Sequence, residues 1–163
     1  MINRHKQKGA ETVEFAMIAL LFFAVLFAVI EFSRALFVWN ALTEATRRGA
    51  RMAVICPYQS PVPAKVAIFD VIAGSLGTSP IIGGLTPAMV TVRYLNQAGA
   101  VETDQTLIRF AEVSITGYTH RFIIPLWGSL VTAPAFTTTL PTESLGAVPT
   151  YPGDPVIAPT CNF

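Results

Sequence analysis

The sequence predicts an α+β protein in which one long N-terminal helix carries a small head of short antiparallel strands and a short helix. Three observations predict this fold class. No proline interrupts residues 10–56, and apolar residues recur there at helical spacings. Two later segments, Met89–Leu95 and Phe110–Tyr118, alternate apolar and polar residues in the way of half-buried strands. Prolines then recur from Pro141 to Phe163, which predicts an extended tail.

The composition indicates that part of the chain lies in lipid. Of its 163 residues, 52% are hydrophobic and only 13% are charged, whereas about a quarter are charged in ordinary soluble proteins. The net charge is +1, but three of the 11 basic residues fall within the first nine positions. Residues 57–163 hold four basic and six acidic side chains, so no basic face is left and no nucleic-acid partner is expected.

An uncharged run of 16 residues, Phe15–Ile30, is the centre of a predicted membrane-spanning helix. At a rise of 1.5 Å per residue it covers about 24 Å, less than the roughly 30 Å of hydrocarbon in a bilayer. The span is therefore expected to cover about residues 14–39, where Glu31 and Arg34 stand three positions apart and partly neutralise each other. The alternative is a buried core helix, but apolar side chains occupy every side of the run.

The helical pattern continues beyond this run as far as Cys56. One face keeps an apolar stripe at spacings of three and four residues: Val38, Leu42, Ala45, Gly49, Met52 and Cys56. Glu44 is placed to meet Arg47 or Arg48. The arginines of this part are either solvated or contact lipid headgroups or acids of a neighbouring molecule. Pro57 ends the helix, which gives a rod of about 47 residues and roughly 70 Å.

Residues 57–163 are expected to form the head. Pro57–Pro63 has three prolines and is interpreted as a linker, and Ala64–Leu76 as a short amphipathic helix closed by Gly77. The other expected elements are a loop over Thr78–Pro87, a strand over Met89–Leu95, a turn over Asn96–Gly99, a strand over Phe110–Tyr118, one helical turn over Pro125–Val131 and a third strand over Ala135–Leu140.

The N-terminus carries the most specific motif. A basic leader over residues 1–9 ends in Gly9, and Ala10-Glu11-Thr12-Val13-Glu14-Phe15 follows at the start of the apolar run. This arrangement resembles the type IV prepilins of the tight-adherence (Flp) branch, which have a basic leader, Gly, four residues and then Glu-Phe or Glu-Tyr. Two further segments, Ile30–Arg34 and Leu42–Arg51, resemble the TadE-like group of minor pilins.

The resemblance implies roles for the first residues of the helix. It implies a cut after Gly9 by a prepilin peptidase, which needs the extended, unbranched backbone that glycine allows. It also implies that the freed amine of Ala10 pairs with the Glu14 carboxylate of a neighbouring subunit, beside Phe15, and sets the register between packed helices. The alternative for Glu14 is a boundary carboxylate hydrated among the headgroups.

We therefore expect a structural minor pilin, or pseudopilin, of a tight-adherence pilus or secretion apparatus, and not an enzyme. The expected partners are a prepilin peptidase, other pilins and minor pilins, an inner-membrane assembly platform and the lipid bilayer. The short basic flank predicts a cytoplasmic N-terminus, a single pass of the bacterial inner membrane and a periplasmic head, with the cell surface as the destination after assembly. The alternative is an uncleaved membrane-anchored periplasmic adaptor or scaffold of a secretion machine.

The remaining reactive residues predict no catalysis. Cys56 and Cys161 both follow the apolar run, where an oxidising compartment allows them to pair and to tie the tail to the rod. A free buried thiol and an intermolecular bridge remain alternatives. His120 stands alone at a strand end, and Glu102 and Asp104 are expected to be solvated in a turn. No spacing typical of metal ligands, phosphate loops or nucleophiles occurs, so neither a metal nor a cofactor is expected.

Overall fold

One helix dominates the fold. In the computed structural model, which describes residues 9–70, 77–123, 130–143, 145 and 161, helix α1 covers Ala10–Ile55. Its 46 residues span about 69 Å at 1.5 Å per residue. The helix ends because Cys56 is extended, with φ −78° and ψ 157°, the conformation favoured before Pro57. The prediction of a single unbroken N-terminal helix is confirmed.

The second helix is shorter than predicted and begins earlier. Helix α2 covers Val62–Ala67, so the interpretation of Pro57–Pro63 as a linker is wrong at its end. Pro63 fits the first turn because the N–H that proline lacks has no helical partner there. The predicted continuation through Leu76 is wrong for residues 68–70, because Phe69 has a left-handed φ of 63°. Residues 71–76 lie outside the described residues.

The head contains the predicted antiparallel sheet of three strands. After a 3₁₀ turn over Pro87–Met89, strand β1 covers Val90–Leu95 and β2 covers Phe110–Ile115. The third strand of this sheet covers Phe136–Pro141 and is named β5, because two short strands of another sheet precede it in the chain. The sheet order is β1-β2-β5. Strand β2 ends earlier than predicted, before Gly117, which bends the chain with a φ of 74°.

A second, smaller sheet was not predicted. Strand β3 covers Thr119–Arg121 and pairs antiparallel with β4, which covers Leu130–Thr132. The predicted helical turn over Pro125–Val131 is therefore wrong at residues 130 and 131, and its other residues lie outside the described ranges. The predicted extended tail falls mostly outside them as well, since only residues 141–143, 145 and 161 of it are described.

Two apolar clusters join the head to the C-terminal half of α1. The first consists of Leu42, Ala45, Ile68, Ile82, Leu85, Ile115, Tyr118 and Ala133. The second consists of Ala50, Ala53, Val54, Tyr94, Ile108, Ala111 and Val113. Strands β2 and β5 lie against α1, where the Thr46 and Thr138 hydroxyls share a hydrogen bond of 2.8 Å. The helix therefore supplies one wall of both cores.

The predicted apolar stripe is only part of the face that α1 buries. Leu42, Ala45, Gly49 and Cys56 are buried as expected, whereas Val38 and Met52 are half-buried. The buried face also takes in Thr46, Ala50, Ala53 and Val54. It is wider than the stripe because α2 and the sheet pack on two adjoining sides of the helix.

Candidate functional site on the N-terminal helix

The first half of α1 is an exposed apolar helix. From Val13 to Ile30 its large apolar side chains are 40–75% exposed. The helix is long and apolar enough to cross a membrane, and its most apolar window of 18 residues has a mean hydropathy of 2.8 with none of it buried. A continuous apolar surface of this size marks a segment that contacts lipid or another protein.

Gly9 lies directly before this helix and has no structural need to be glycine. Its φ of −102° and ψ of −19° suit any residue, and a Cβ added there meets no described atom within 4 Å. Its carbonyl accepts the N–H of Val13 at 3.2 Å, so Ala10 begins the first helical turn. The glycine is thus required neither by backbone strain nor by packing.

Glu14 and Phe15 follow on the outside of the first turns. Phe15 is 72% exposed, and Glu14 is exposed as well. Glu14 has no hydrogen-bond or ion-pair partner among the described residues. Because side chains four positions apart share a helix face, Glu14 stands one turn above Ala10 on the same side. Within one molecule the carboxylate is therefore available to a group from outside.

Glu31 and Arg34 do more than neutralise each other. Glu31 is only 4% exposed, and its two oxygens accept hydrogen bonds from Arg34 Nη1 at 2.9 and 3.0 Å. Glu31 Oε1 also accepts the backbone N–H of Ile123 at 3.0 Å, and Arg34 Nη2 donates to the Arg121 carbonyl at 3.5 Å. These four residues, named the clasp here, fasten the segment after β3 to α1. No local pattern predicts this contact, because 92 residues separate Glu31 from Ile123.

His120 lies beside the clasp and is a second residue whose surroundings the sequence did not reveal. It is 1% exposed, its ring meets that of Phe122 edge-on at 5.2 Å, and its Nε2 has no hydrogen-bond partner among the described residues. Burial lowers the pKa of His120, the charge of Arg34 lowers it further, and that of Glu31 opposes the change. The imidazole is therefore neutral at physiological pH.

Gly49 marks the closest approach between α1 and the head. A Cβ built at this position meets the Ala67 Cβ at 2.9 Å, the Val113 Cγ1 at 3.1 Å and the Pro63 carbonyl oxygen at 3.2 Å. These distances leave no room for a methyl group, so α2 and β2 contact the bare helix backbone here. In a helix interior, glycine is otherwise unfavourable by about 1 kcal/mol relative to alanine.

The top of α1 carries charged and covalent contacts. Arg48 donates to Glu44 at 3.0 Å, and its guanidinium lies 4.9 Å from the centre of the Phe69 ring. Cys56 and Cys161 form a disulfide with their Cα atoms 5.6 Å apart. The arrangement ties a residue near the end of the chain to the residue that follows α1.

Glu102 and Asp104 lie in an exposed turn, as the sequence predicts. Backbone N–H groups of Thr103 and Asp104 donate to Glu102, and the backbone and hydroxyl of Thr106 donate to Asp104. These hydrogen bonds lower the pKa of both carboxyls. The two acids therefore order a turn as carboxylates. Within the described ranges, no three His, Cys, Asp or Glu side chains come together to hold a metal ion.

The exposed apolar helix, the glycine that precedes it and the two helix residues of the clasp, Glu31 and Arg34, all fall within one stretch that has known counterparts. Residues 9–51 match the family model of TadE-like proteins. The match confirms the TadE-like resemblance over about a quarter of the chain, from Gly9 to Arg51, and indicates a protein associated with the tight-adherence pilus. No curated protein and no solved structure matches the chain. The TadE-like segment thus includes the membrane-competent half of α1 and most of the part that supports the head, but ends before Ala53, Val54 and Cys56.

Proposed function

We propose that the protein is a minor pilin, or pseudopilin, of a tight-adherence pilus or secretion apparatus. In this proposal a prepilin peptidase cuts after Gly9, and the apolar half of α1 first holds the chain in the inner membrane and then packs against other subunits. The N-terminus is cytoplasmic and the head periplasmic before assembly. The protein is a structural component rather than an enzyme.

The observation that carries the proposal is the exposed apolar helix that begins at the first residue after Gly9. Its large apolar side chains from Val13 to Ile30 are exposed, while the head, in the part of the chain that the structure describes, contacts the same helix from Glu31 onward. A helix of this kind suits two successive environments, lipid and then a bundle of like helices, because both are apolar. The family match over residues 9–51 supports the same assignment.

Gly9 and Glu14 support the proposal from another direction. Neither the backbone nor the packing requires glycine at position 9, so a requirement outside the fold accounts for it best. Glu14 is a carboxylate at the membrane boundary without a described partner, and a charge there is costly unless another group compensates it, so it is a candidate for function. An amine freed at Ala10 of a neighbouring subunit is the partner we propose for it.

The intact mass of the protein from its own cells tests the processing step. A cut after Gly9 removes nine of the 163 residues and gives a chain that begins at Ala10. The full mass should return in cells that lack the peptidase, and also in a Gly9→Val variant, whose branched side chain restricts the backbone and whose Cβ meets no described atom within 4 Å. A full-length mass in wild-type cells would leave the uncleaved periplasmic adaptor as the explanation.

A further inference from the structure

A wide groove separates α1 from one side of the head, called the lower side here because it faces the apolar half of the helix. It has a volume of about 1250 Å³ and is lined on the helix side by Arg34 and Phe37. The head contributes the loop around Ile81, strand β3 and the residues that follow β3 as far as Ile123. The clasp closes one side of this groove, since Glu31 holds the backbone of Ile123 against α1.

The groove lies directly above the apolar half of the helix. Ile123 is bonded to Glu31, which follows the last residue of the uncharged run, Ile30. The part of α1 below the clasp, residues 10–30, is 21 residues long and about 31 Å in length, close to the roughly 30 Å of bilayer hydrocarbon. The head contacts Glu31 and Arg34, so this part suits the span better than residues 14–39, which the sequence predicts. If residues 10–30 span the membrane, the groove opens at the level of the headgroups.

The side chains on the groove combine exposed apolar groups with positive charge. Ile123 is 72% exposed, Phe37 58% and Ile81 52%. Arg121 is exposed and has no ion-pair partner among the described residues, whereas Arg34 is neutralised by Glu31. The described residues that line the groove include no carboxylate. His120 also lines the groove and is buried, and its Nε2 has no hydrogen-bond partner within the described ranges.

A phospholipid fits the groove better than water or a polar protein surface does, because it offers both acyl chains for the exposed apolar side chains and a phosphate for Arg121. Large apolar side chains at the lipid boundary are stabilised among the upper acyl chains, and an arginine beside them meets the phosphate. Single exposed apolar residues are common, but these three share one groove that continues the apolar surface of α1. Continuity with the membrane segment and the unpaired positive charge both point to the same occupant.

We propose that the lower side of the head docks on the membrane and that its groove binds a phospholipid of the leaflet on the head's side. Ile81, Ile123 and Phe37 contact the acyl chains near the glycerol, and Arg121 binds the phosphate. The inference rests on the proposed function, since it requires α1 to span the bilayer. It goes beyond that function because it gives the head a lipid contact of its own.

The test places a fluorescent reporter in the groove. The full chain, with Trp39 and Trp127 replaced by Phe, receives a single tryptophan as Ile123→Trp, or as Val101→Trp in the control. Val101 is a matched control because it is also apolar and 65% exposed but lies beside the end of β1, away from the groove. Both variants are reconstituted at a low protein-to-lipid ratio in phosphatidylcholine and phosphatidylglycerol vesicles whose lipids carry bromine near the carbonyl end of the acyl chains.

Bromine should quench Ile123→Trp at least about twofold more strongly than Val101→Trp, because only the groove residue lies at headgroup level. Adding Arg121→Gln should weaken quenching at position 123, whereas Arg51→Gln, which removes an exposed arginine at the top of α1, should not. Equal quenching at positions 123 and 101 would overturn the proposal.

Flotation of the same vesicles separates this proposal from the proposed function. Protein that floats with the vesicles but shows no extra quenching at position 123 is anchored without a docked head, which overturns only the groove proposal. Protein that fails to float contradicts the membrane anchor itself. A change at Ile123→Trp that occurs only at a high protein-to-lipid ratio would identify a second copy of the chain as the occupant and would also overturn the phospholipid.

Discussion

The Glu31 carboxylate accepts the backbone N–H of Ile123 at 3.0 Å, although 92 residues separate the two. The same carboxylate binds Arg34 through both oxygens, so one buried acid on α1 satisfies three hydrogen bonds. A buried carboxylate is stable only when it is paired and hydrogen-bonded in this way. The contact fixes Glu31 as the position on α1 at which the Ile123 end of the head is held.

Replacing Glu31 tests how much the clasp stabilises the head. Glu31→Leu leaves the Ile123 N–H and the Arg34 guanidinium without their acceptor, so we expect a loss of about 3 kcal/mol in the free energy of unfolding. Urea unfolding of the full chain in mild detergent, followed by near-UV circular dichroism, measures it. The control is Glu44→Leu, which removes an exposed pair with Arg48 and should cost less than about 1 kcal/mol. Equal losses in the two variants would contradict the clasp.

Gly49 should tolerate no side chain. Gly49→Ala places a methyl group 2.9 Å from the Ala67 Cβ, and the strain of about 1–3 kcal/mol should exceed the gain of about 1 kcal/mol in helix propensity. Gly49→Val should destabilise more. Thermal unfolding in detergent checks both against Gly83→Ala, where an added Cβ meets no described atom within 4 Å. An alanine variant as stable as the wild type would show that the contact can relax.

Removal of the disulfide should weaken the head without unfolding α1. Cys56 and Cys161 are 105 positions apart, and losing a bond across a loop of this length typically costs about 2–5 kcal/mol. We expect Cys56→Ser/Cys161→Ser and the reduced wild-type protein to unfold at similarly lower urea concentrations. Reductant added to the double variant serves as the control and should change nothing. Two titratable thiols in the oxidised wild-type protein would refute the bond.

The stability of the head should fall as the pH drops through the range in which free histidine titrates. The folded pKa of His120 is below its ordinary value of 6.5, so the unfolded chain takes up the proton first. The contribution of neutral His120 is therefore complete above about pH 6.5 and is lost below it, with a slope of at most about 1.4 kcal/mol per pH unit. His120→Gln should abolish this slope in urea titrations between neutral and mildly acidic pH.

The carboxylates provide a control for the histidine experiment because they titrate in another range. The pKa values of Glu102 and Asp104 are lowered from 4.5 and 3.8, so their contribution is present above those ordinary values and lost in more acidic solution. A slope above pH 5 that persists in His120→Gln would have to come from a group other than His120.

Glu14 should matter for assembly but not for processing. Glu14→Gln keeps the size of the side chain and removes the charge that we propose to meet the Ala10 amine of a neighbouring subunit. We expect the chain still to be cut after Gly9, as its intact mass would show, and its incorporation into the sheared surface fraction to be lost. Glu11→Gln is the matched control, since Glu11 is also acidic, exposed and in the first turns of α1. Normal incorporation of Glu14→Gln would remove the pairing and leave the cut intact.

Local sequence patterns predicted the largest elements of the fold. Helix α1 was predictable because its 46 residues repeat a helical spacing without proline, and Pro57 marks its end. Strands β1 and β2 were predictable from the alternation of apolar and polar residues, whereas β5 was expected without such an alternation, since its sequence is Phe-Thr-Thr-Thr-Leu-Pro. Strands β3 and β4 were missed because three residues are too few to show a period.

Long-range contacts explain the rest of what the sequence did not reveal. The end of α2 depends on the left-handed Phe69, a conformation that bulky residues seldom adopt and that no propensity predicts. Glu31 and Arg34 were recognisable as neighbours on one helix. Glu31 accepts the N–H of Ile123 and Arg34 donates to the carbonyl of Arg121 only after the chain returns to α1. The importance of Gly49 likewise depends on what packs on it.

The bond between Cys56 and Cys161 also decides how the molecule carries mechanical load. A pull on the end of the chain passes through the sulfur atoms directly into the helix, because Cys56 immediately follows its last residue. The strands between the two cysteines are bypassed and bear little of the tension. In the pilus assembly that we propose, a pull can thus pass through this subunit while the sheet stays folded.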